Sequence, residues 1–571
     1  MSNAPVIDTA VPPQAQALYE RHRETLTQAV SANAQRGYWS AYPEMPKAYG
    51  EEAAKAGEDA FAADRGNRFG LEQPATDGWE GEERSPFGFE LGITYPHADL
   101  DQLLAQMSAA IALWRDAGPD VRAGVCLEIL AKINERSHEI AHAVMHTTGQ
   151  AFAMAFQAGG PHAQDRALEA VAYAYAEMTR HAARARWEKP QGKRPPLVME
   201  KRFNVVPRGI ALVVGCNTFP TWNSYPGLFA SLATGNAVLV KPARRAVLPL
   251  AITVAVAREV LAEAGFSPDL VALAVERPDE RLASTLAVRP EVRIIDYTGS
   301  TEFGEWLEAN APQAVVFTEK AGVNTIVLDS TDDYKGMLGN IAFTLSLYSG
   351  QMCTTTQNIL VPRGGIETDQ GHKDFDAVAE DLGKALDGLL GDDARANAIL
   401  GAIGSPEILD RIERAQQHGR VVRASRAVAN AEFPEATVRT PALIALDAGA
   451  DEQVYLTEQF GPITFLIATD DTEHSLELLR SSARDHGAIT AGVYSTSDAV
   501  LEQAERAAID GMVALSCNLT GAVYVNQSAA FSDFHATGGN PAANSTLSDG
   551  AFVASRFRIV QSRRHVAPDE Q

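Results

Sequence analysis

A chain of 571 residues with 46% hydrophobic residues carries enough apolar content for more than one core. Its 73 Asp and Glu against 49 Lys and Arg give a formal charge of -24, a field that repels phosphate polymers and anionic bilayers, so neither nucleic acid nor a membrane is expected as a partner. Four cysteines, Cys126, Cys216, Cys353 and Cys517, form no CxxC pair and no metal-ligand spacing, which argues against disulfides and a bound metal and fits a reducing, cytoplasmic setting.

The first residues, MSNAPVIDTAVPPQ, have no basic start leading into an apolar core, so no secretory signal is expected. Residues 13–34 carry apolar positions at helical spacing, and GYWSAYPEMPKAYGEE (37–52) is a Pro- and aromatic-rich segment expected to wrap over another surface. Helical spacing returns over 100–148. The longest largely apolar run, Ala246 to Ala257, has 12 residues, contains Pro249 and falls short of the roughly 20 needed to cross a bilayer, so a soluble protein is expected.

From 207 the pattern changes. Short apolar runs, IALVV (210–214), AVLV (237–240), LVALAV (270–275), VRIIDY (292–297) and AVVF (314–317), alternate with amphipathic stretches, as buried parallel strands with crossover helices do. Residues 207–320 therefore read as a doubly wound sheet of nucleotide-binding type. A second α/β region begins at NTIVLD (324–329). The alternating SRFRIVQSRR near the end has too little local sequence to pair with itself and is expected to pair elsewhere, another subunit included.

Three pieces carry chemistry. Glu319 ends a predicted buried strand in VVFTEKAG, Asn217 follows another strand end in VVGCNTFPTW, and Cys353 lies behind the small residues of YSGQMCTTT. Carboxyl ends of strands are where open α/β sheets bind ligands. A soft nucleophile, an amide donor for an oxyanion and a carboxylate to activate water are the parts for covalent chemistry at a carbonyl. Alone, a cysteine among small residues is ordinary core, and Cys126 and Cys517 are read that way.

FTEKAGVNTIVL followed by SGQMCTT, with 34 residues from Glu319 to Cys353, resembles the aldehyde dehydrogenase superfamily. GNAVLVKPA (235–243), YTGSTEFG (297–304) and TEQFGPITF (457–465) match three further motifs of that family in order. The N-terminal 37–52 segment and the tail YVNQSAAFSDFHATGGNPAANS look like its PaaN group, associated with phenylacetate catabolism. The resemblance implies an α/β fold with two doubly wound parallel-sheet domains, an oligomerisation hairpin and a tail. Its expected organisation is an N-terminal helical and extended segment over 1–84 and a nucleotide-binding domain over 85–319 with the hairpin at about 187–206. A catalytic, thiol-bearing domain over 320–525 and an assembly tail over 526–571 follow.

Carried over residue by residue, the resemblance makes Cys353 the nucleophile, Asn217 the oxyanion donor and Glu319 the base that hydrolyses a thioester. Lys241 contacts the adenosine ribose, Gly299 and Ser300 the pyrophosphate, Glu458 the nicotinamide ribose, and Phe460 packs near the nicotinamide. Arg244 stands where NAD-preferring relatives carry a ribose-binding glutamate, so NADP is the expected preference, with NAD as the other cofactor. The extra residue in CNTFP bears on Asn217, and Lys320 follows the base. The implied substrate is an aldehyde, in the PaaN reading a semialdehyde from aromatic ring opening, linked to coenzyme A. A coenzyme A-acylating enzyme, a general aldehyde dehydrogenase and a catalytically silent scaffold are the alternatives. The basic stretch from Arg180 to Arg202 suggests subunit assembly, as a homodimer or homotetramer, over a coenzyme A landing site. His535, in FSDFHATGG, reads as a structural hydrogen-bond donor.

Overall fold

The computed structural model describes residues 11–567. Two sheets organise it. The first runs Val271–Leu273, Ala237–Lys241, Ile210–Val214, Val292–Thr298 and Val315–Glu319, all parallel. The inner strands are short aliphatic runs buried on both faces, as a sheet covered by helices on either side requires. The chain winds outward from Ile210–Val214 and then crosses to its other side, which leaves a switch point between that strand and Val292–Thr298.

The second sheet has the order Arg420–Arg423, Ala442–Asp447, Ile463–Thr469, Thr356–Pro362, Asn324–Leu328, Thr490–Tyr494, Ala514–Cys517. Its strands are parallel except the edge strand Arg420–Arg423. The α/β architecture with two doubly wound sheets is therefore present. Residues 320–323 alone separate the last strand of the first sheet from Asn324–Leu328, so Glu319 stands at the junction.

The N-terminal helix Pro13–Gln35 lies across Gly118–Glu135 and Ala163–Thr179. Gly124 permits the close crossing, since a Cβ there would stand 2.5 Å from the backbone of Tyr19. Among the described residues no helix is long and apolar enough to cross a membrane.

A third, antiparallel sheet joins Arg184–Gln191 and Arg194–Pro207 to the tail strand Phe557–Val566. The tail strand thus finds its partner in this chain's own hairpin, from Phe557 opposite Pro207 to Val566 opposite Val198. Its root is fixed by Arg556, fully buried, whose guanidinium donates to both Asp296 oxygens at 2.6 and 2.8 Å and to Ser231 Oγ at 2.7 Å. Cys126 is core, as expected. Cys517 is not: it ends an edge strand and is exposed, because among the described residues no strand pairs beyond Ala514–Cys517 in the sheet.

Candidate active site

The cysteine is presented by a strained turn. Helix Tyr334–Ser346 runs into Leu347–Gly350, where Tyr348, Ser349 and Gly350 have φ of 54°, 52° and 65°. Two side-chain-bearing residues in the left-handed region cost on the order of 1–3 kcal/mol each. Three hydrogen bonds hold them there: Tyr348 Oη to Thr148 O at 2.6 Å, Ser349 Oγ to Gly401 O at 3.0 Å, and Gln351 Nε2 to Ala402 O at 3.0 Å. Gly350 admits no side chain, as a Cβ would lie 2.4 Å from Gly461 O. Beyond the turn, Asn324 Nδ2 donates to Cys353 O at 2.7 Å and to Thr355 O at 3.0 Å. Cys353 emerges half-buried at the wall of a cavity of about 410 Å³.

Glu319, buried at the end of its strand, meets Cys353 there. Its Oε2 accepts from Asn223 Nδ2 at 3.1 Å, and its Oε1 lies 3.1 Å from His535 Nε2. His535 Nε2 is also 3.9 Å from Cys353 Sγ, within hydrogen-bond reach of a sulfur. Glu319, Cys353 and His535 each bring one side-chain heteroatom within 4.8 Å of the others. Burial acts to raise the Glu319 carboxyl, but the neighbouring His535, with Cys353 and Asn223 beside it, outweighs burial and holds the group below its ordinary range. Burial, reinforced by the Glu319 carboxylate, pushes the Cys353 thiol well up. Lys320 takes no part: its Nζ pairs with Glu308 at 3.3 Å.

The other residues singled out in the sequence fall into two groups. Lys241 is the last residue of its strand, Gly299 and Ser300 follow directly on Thr298, and Glu319 ends the next strand, so all lie along one carboxyl edge of the first sheet. Lys241 Nζ pairs with Glu276 at 2.6 Å; exposed Ser300 caps helix Thr301–Asn310, accepting from Phe303 N at 3.4 Å. An ammonium and an open helix N-terminus on one sheet edge fit the ribose and pyrophosphate of a dinucleotide. Arg244 is held by Glu82 at 2.8 Å and by Pro278 O at 3.0 Å. Glu458 accepts from Gly322 N at 3.4 Å, and burial pushes its carboxyl up to about 7. Phe460 is half-buried, its carbonyl accepting from Arg411 at 2.5 Å.

Asn217 does not line the cavity: a Cβ at Gly404 would stand 3.7 Å from both its Nδ2 and Gln351 Oε1, and its Oδ1 is buried without a partner. Asn223, six positions later on helix Pro220–Ala233, does line it. Cys216 stands behind Asn223, 3.6 Å from its Oδ1. Sequence reasoning missed Asn223 and set His535 aside; one histidine in FSDFHATGG, 182 positions from the cysteine, was the only signal for the latter.

The cavity has a large aromatic and aliphatic lining, Trp39, Phe219, Trp222, Phe343, Leu347 and Met352, with Glu44, His162 and Asp165 among its polar members. Among the described residues no Lys or Arg lines it. Residues 38–40 and 44 form part of this wall, which was not evident from their sequence. Trp39 packs edge-on against Phe531 with ring centroids 4.7 Å apart, and Asp165 accepts from Ser40 Oγ at 2.6 Å and Ala41 N at 3.0 Å.

The model of the Aldehyde dehydrogenase family matches residues 93–542. A crystal structure of an NAD-dependent aldehyde dehydrogenase from Burkholderia multivorans is 58% identical, with a TM-score of 0.95 over 97% of this chain and 100% of that one. 1-Pyrroline-5-carboxylate dehydrogenase 1 of Halalkalibacterium halodurans is 25% identical over 443 residues, 74% of this chain and 78% of the relative. A Thermus 1-pyrroline-5-carboxylate dehydrogenase with bound NAD shares the fold at 20% identity and a TM-score of 0.70, over 93% of this chain and 99% of that one.

Proposed function

Because the chain belongs to the aldehyde dehydrogenase family and oxidises an aldehyde with a nicotinamide dinucleotide, we propose that its substrate has a largely apolar or aromatic body. The observation that carries this is the cavity at Cys353, walled by Trp39, Trp222, Phe219 and Phe343, with Glu44, His162 and Asp165 as its ionisable members beside His535 and no Lys or Arg among its described lining residues.

In this reading the Cys353 sulfur attacks the carbonyl carbon and forms a thiohemiacetal. The Cys353 backbone N–H and an asparagine amide hold its oxygen. Motif matching assigns that amide to Asn217; the cavity geometry favours Asn223, whose Nδ2 has a second hydrogen beyond the one given to Glu319. The dinucleotide, when bound, accepts the hydride that leaves the carbon. Glu319, kept ionised in its buried position, then draws a proton from the water that cleaves the Cys353 thioester. Lys241, Ser300, Glu458 and Phe460 hold the dinucleotide.

A preference for NADP rests on Arg244 and its neighbour Arg245. The second reading, NAD, is favoured by Glu276 beside Lys241 and by Glu82 already on Arg244, which put carboxylates where a ribose hydroxyl binds and a 2'-phosphate is repelled. The Burkholderia multivorans relative, named NAD-dependent, supports NAD as well. The PaaN resemblance supports a semialdehyde of aromatic breakdown. A coenzyme A portion would keep its phosphates outside the cavity. The exposed antiparallel sheet, with Ile559 and Val560 open on the tail strand, supports assembly into a homo-oligomer, and four free cysteines support a reducing compartment.

The deciding experiment measures dinucleotide reduction with acetaldehyde, a medium-chain or aryl aldehyde and its coenzyme A-linked counterpart, each with NAD and NADP, alongside Cys353→Ala. The larger free aldehyde should exceed acetaldehyde by about tenfold or more in kcat/KM, about 1.4 kcal/mol of discrimination, and the alanine variant should be inactive. Equal turnover of acetaldehyde removes the apolar-substrate reading. A large gain on coenzyme A linkage establishes the ring-cleavage semialdehyde over a general role.

A further inference from the structure

His535 is the group at the site that the proposed reaction leaves unused. It is 1% exposed and clamped by an edge-on contact with Trp222, ring centroids 4.7 Å apart, and by paired backbone hydrogen bonds with Leu547 at 3.0 and 3.2 Å. The ring therefore has a fixed aim. Nε2 meets Cys353 Sγ with hydrogen-bond geometry at 3.9 Å, whereas Glu319 Oε1, though 3.1 Å away, lies off the hydrogen-bond direction and keeps no hydrogen-bond partner. Nδ1 is buried without a partner.

Resting on the reading of Cys353 as nucleophile, we propose that His535 is a catalytic residue whose Nε2 takes the Cys353 thiol proton as the sulfur attacks. The S–H bond breaks and an N–H bond forms. The sulfur's electron pair makes the S–C bond, and the carbonyl π pair moves to oxygen. When water later cleaves the thioester, the sulfur leaves as a thiolate and recovers that proton from the imidazolium. No external oxidant or base enters this exchange.

The surroundings make such an acceptor necessary. Burial and Glu319 both disfavour the Cys353 thiolate, so a proton taken by Glu319 would move uphill and also neutralise the carboxylate needed for the water step. Nε2 stands 3.1 Å from Glu319 Oε1 and 3.9 Å from Cys353 Sγ, so a proton received there lies between the carboxylate and the sulfur that gave it up. The charged groups on the elements packed around His535 are consistent with this. Arg166 is engaged by Glu169 and by the carbonyls of Asp533 and Leu547. Asp165 is bonded to Ser40 and Ala41, and Glu458 adds to the charge that disfavours the Cys353 thiolate.

The test follows alkylation of Cys353 by iodoacetamide between pH 6 and pH 9, read as the Cys353 peptide adduct so that Cys126, Cys216 and Cys517 do not contribute. In the unmodified protein the rate should be nearly flat at neutral pH. His535→Gln should react about 10²-fold more slowly at pH 7, gain about tenfold per pH unit, and so close the deficit near pH 9. A deficit that is the same at every pH, or a variant within about threefold of wild type at pH 7, overturns the proposal. Should the variant not fold, the unmodified profile decides: a tenfold rise per pH unit from pH 6 to 9 overturns it as well. Failure of the underlying reading is seen separately, as turnover surviving in Cys353→Ala.

Discussion

Two walls meet at Cys353, and they are built differently. One is made of strand ends and a tight turn: Glu319 closing Val315–Glu319, Cys353 leaving Leu347–Gly350, Asn324 starting the next strand. The other draws much of its lining from irregular chain, residues 38–40, 44, 526–530 and 535, set beside helix residues such as Trp222 and Phe343. The first wall is positioned by backbone ladders inside two buried sheets. The second is tied by single side chains reaching across hundreds of positions, so a rigid scaffold holds the bond-making atoms while loops shape what reaches them.

The sharpest way to break this comparison is Glu319→Gln. If the strand-end wall divides its labour, nucleophile on one residue and water activation on the other, the variant still gives a burst of reduced dinucleotide stoichiometric with sites. Steady turnover then falls by about 10²- to 10⁴-fold. Rapid-mixing absorbance at 340 nm reads both phases. Loss of the burst together with turnover would mean that Glu319 is needed for attack itself, and the division of labour fails.

The second prediction concerns the tie. Arg166, fully buried, donates to Glu169 at 2.7 Å, to Asp533 O at 3.0 Å, to Leu547 O at 3.2 Å and to Ser528 Oγ at 2.6 Å. Glu169 in turn accepts from Phe531 N at 3.0 Å. Arg166→Met takes from the buried Glu169 carboxylate one of its two arginine partners, leaving Arg36 at 3.2 Å, and should cost roughly 3 kcal/mol. Hydrogen exchange should quicken over residues 528–547 while Asn324–Leu328 keeps its protection. Equal loosening of both would show that the walls are one cooperative unit.

The same division explains what the sequence made legible. Strands such as IALVV and AVLV are local apolar runs, and Glu319 and Cys353 sit at their ends or in a short glycine turn, so pattern and motif find them together. His535 and Asn223 have no such local mark, because their significance is a contact over 182 positions in one case and a six-residue displacement from Asn217 in the other. Cys517 reads as core from residue type alone, yet strand position in the sheet, which no local pattern encodes, leaves it exposed. The partner of the tail strand was hidden for the same reason: pairing with Arg194–Pro207 is a long-range choice.

The smallest expected effect is the most specific to the loop wall. Trp39 lies outside the residues matched by the family model, lines the cavity and packs edge-on against Phe531. Trp39→Ala removes apolar surface that a larger substrate covers and a two-carbon one does not reach. A loss of about 50 Å² of apolar contact corresponds to about 1.3 kcal/mol. The variant should therefore lose about tenfold in kcat/KM for a medium-chain or aryl aldehyde and under about threefold for acetaldehyde, with burst size unchanged. A loss equal for both aldehydes would mean that Trp39 acts through the position of Cys353. The loop wall would then belong to the catalytic scaffold, and the aromatic lining would no longer argue for the size or apolar character of the substrate.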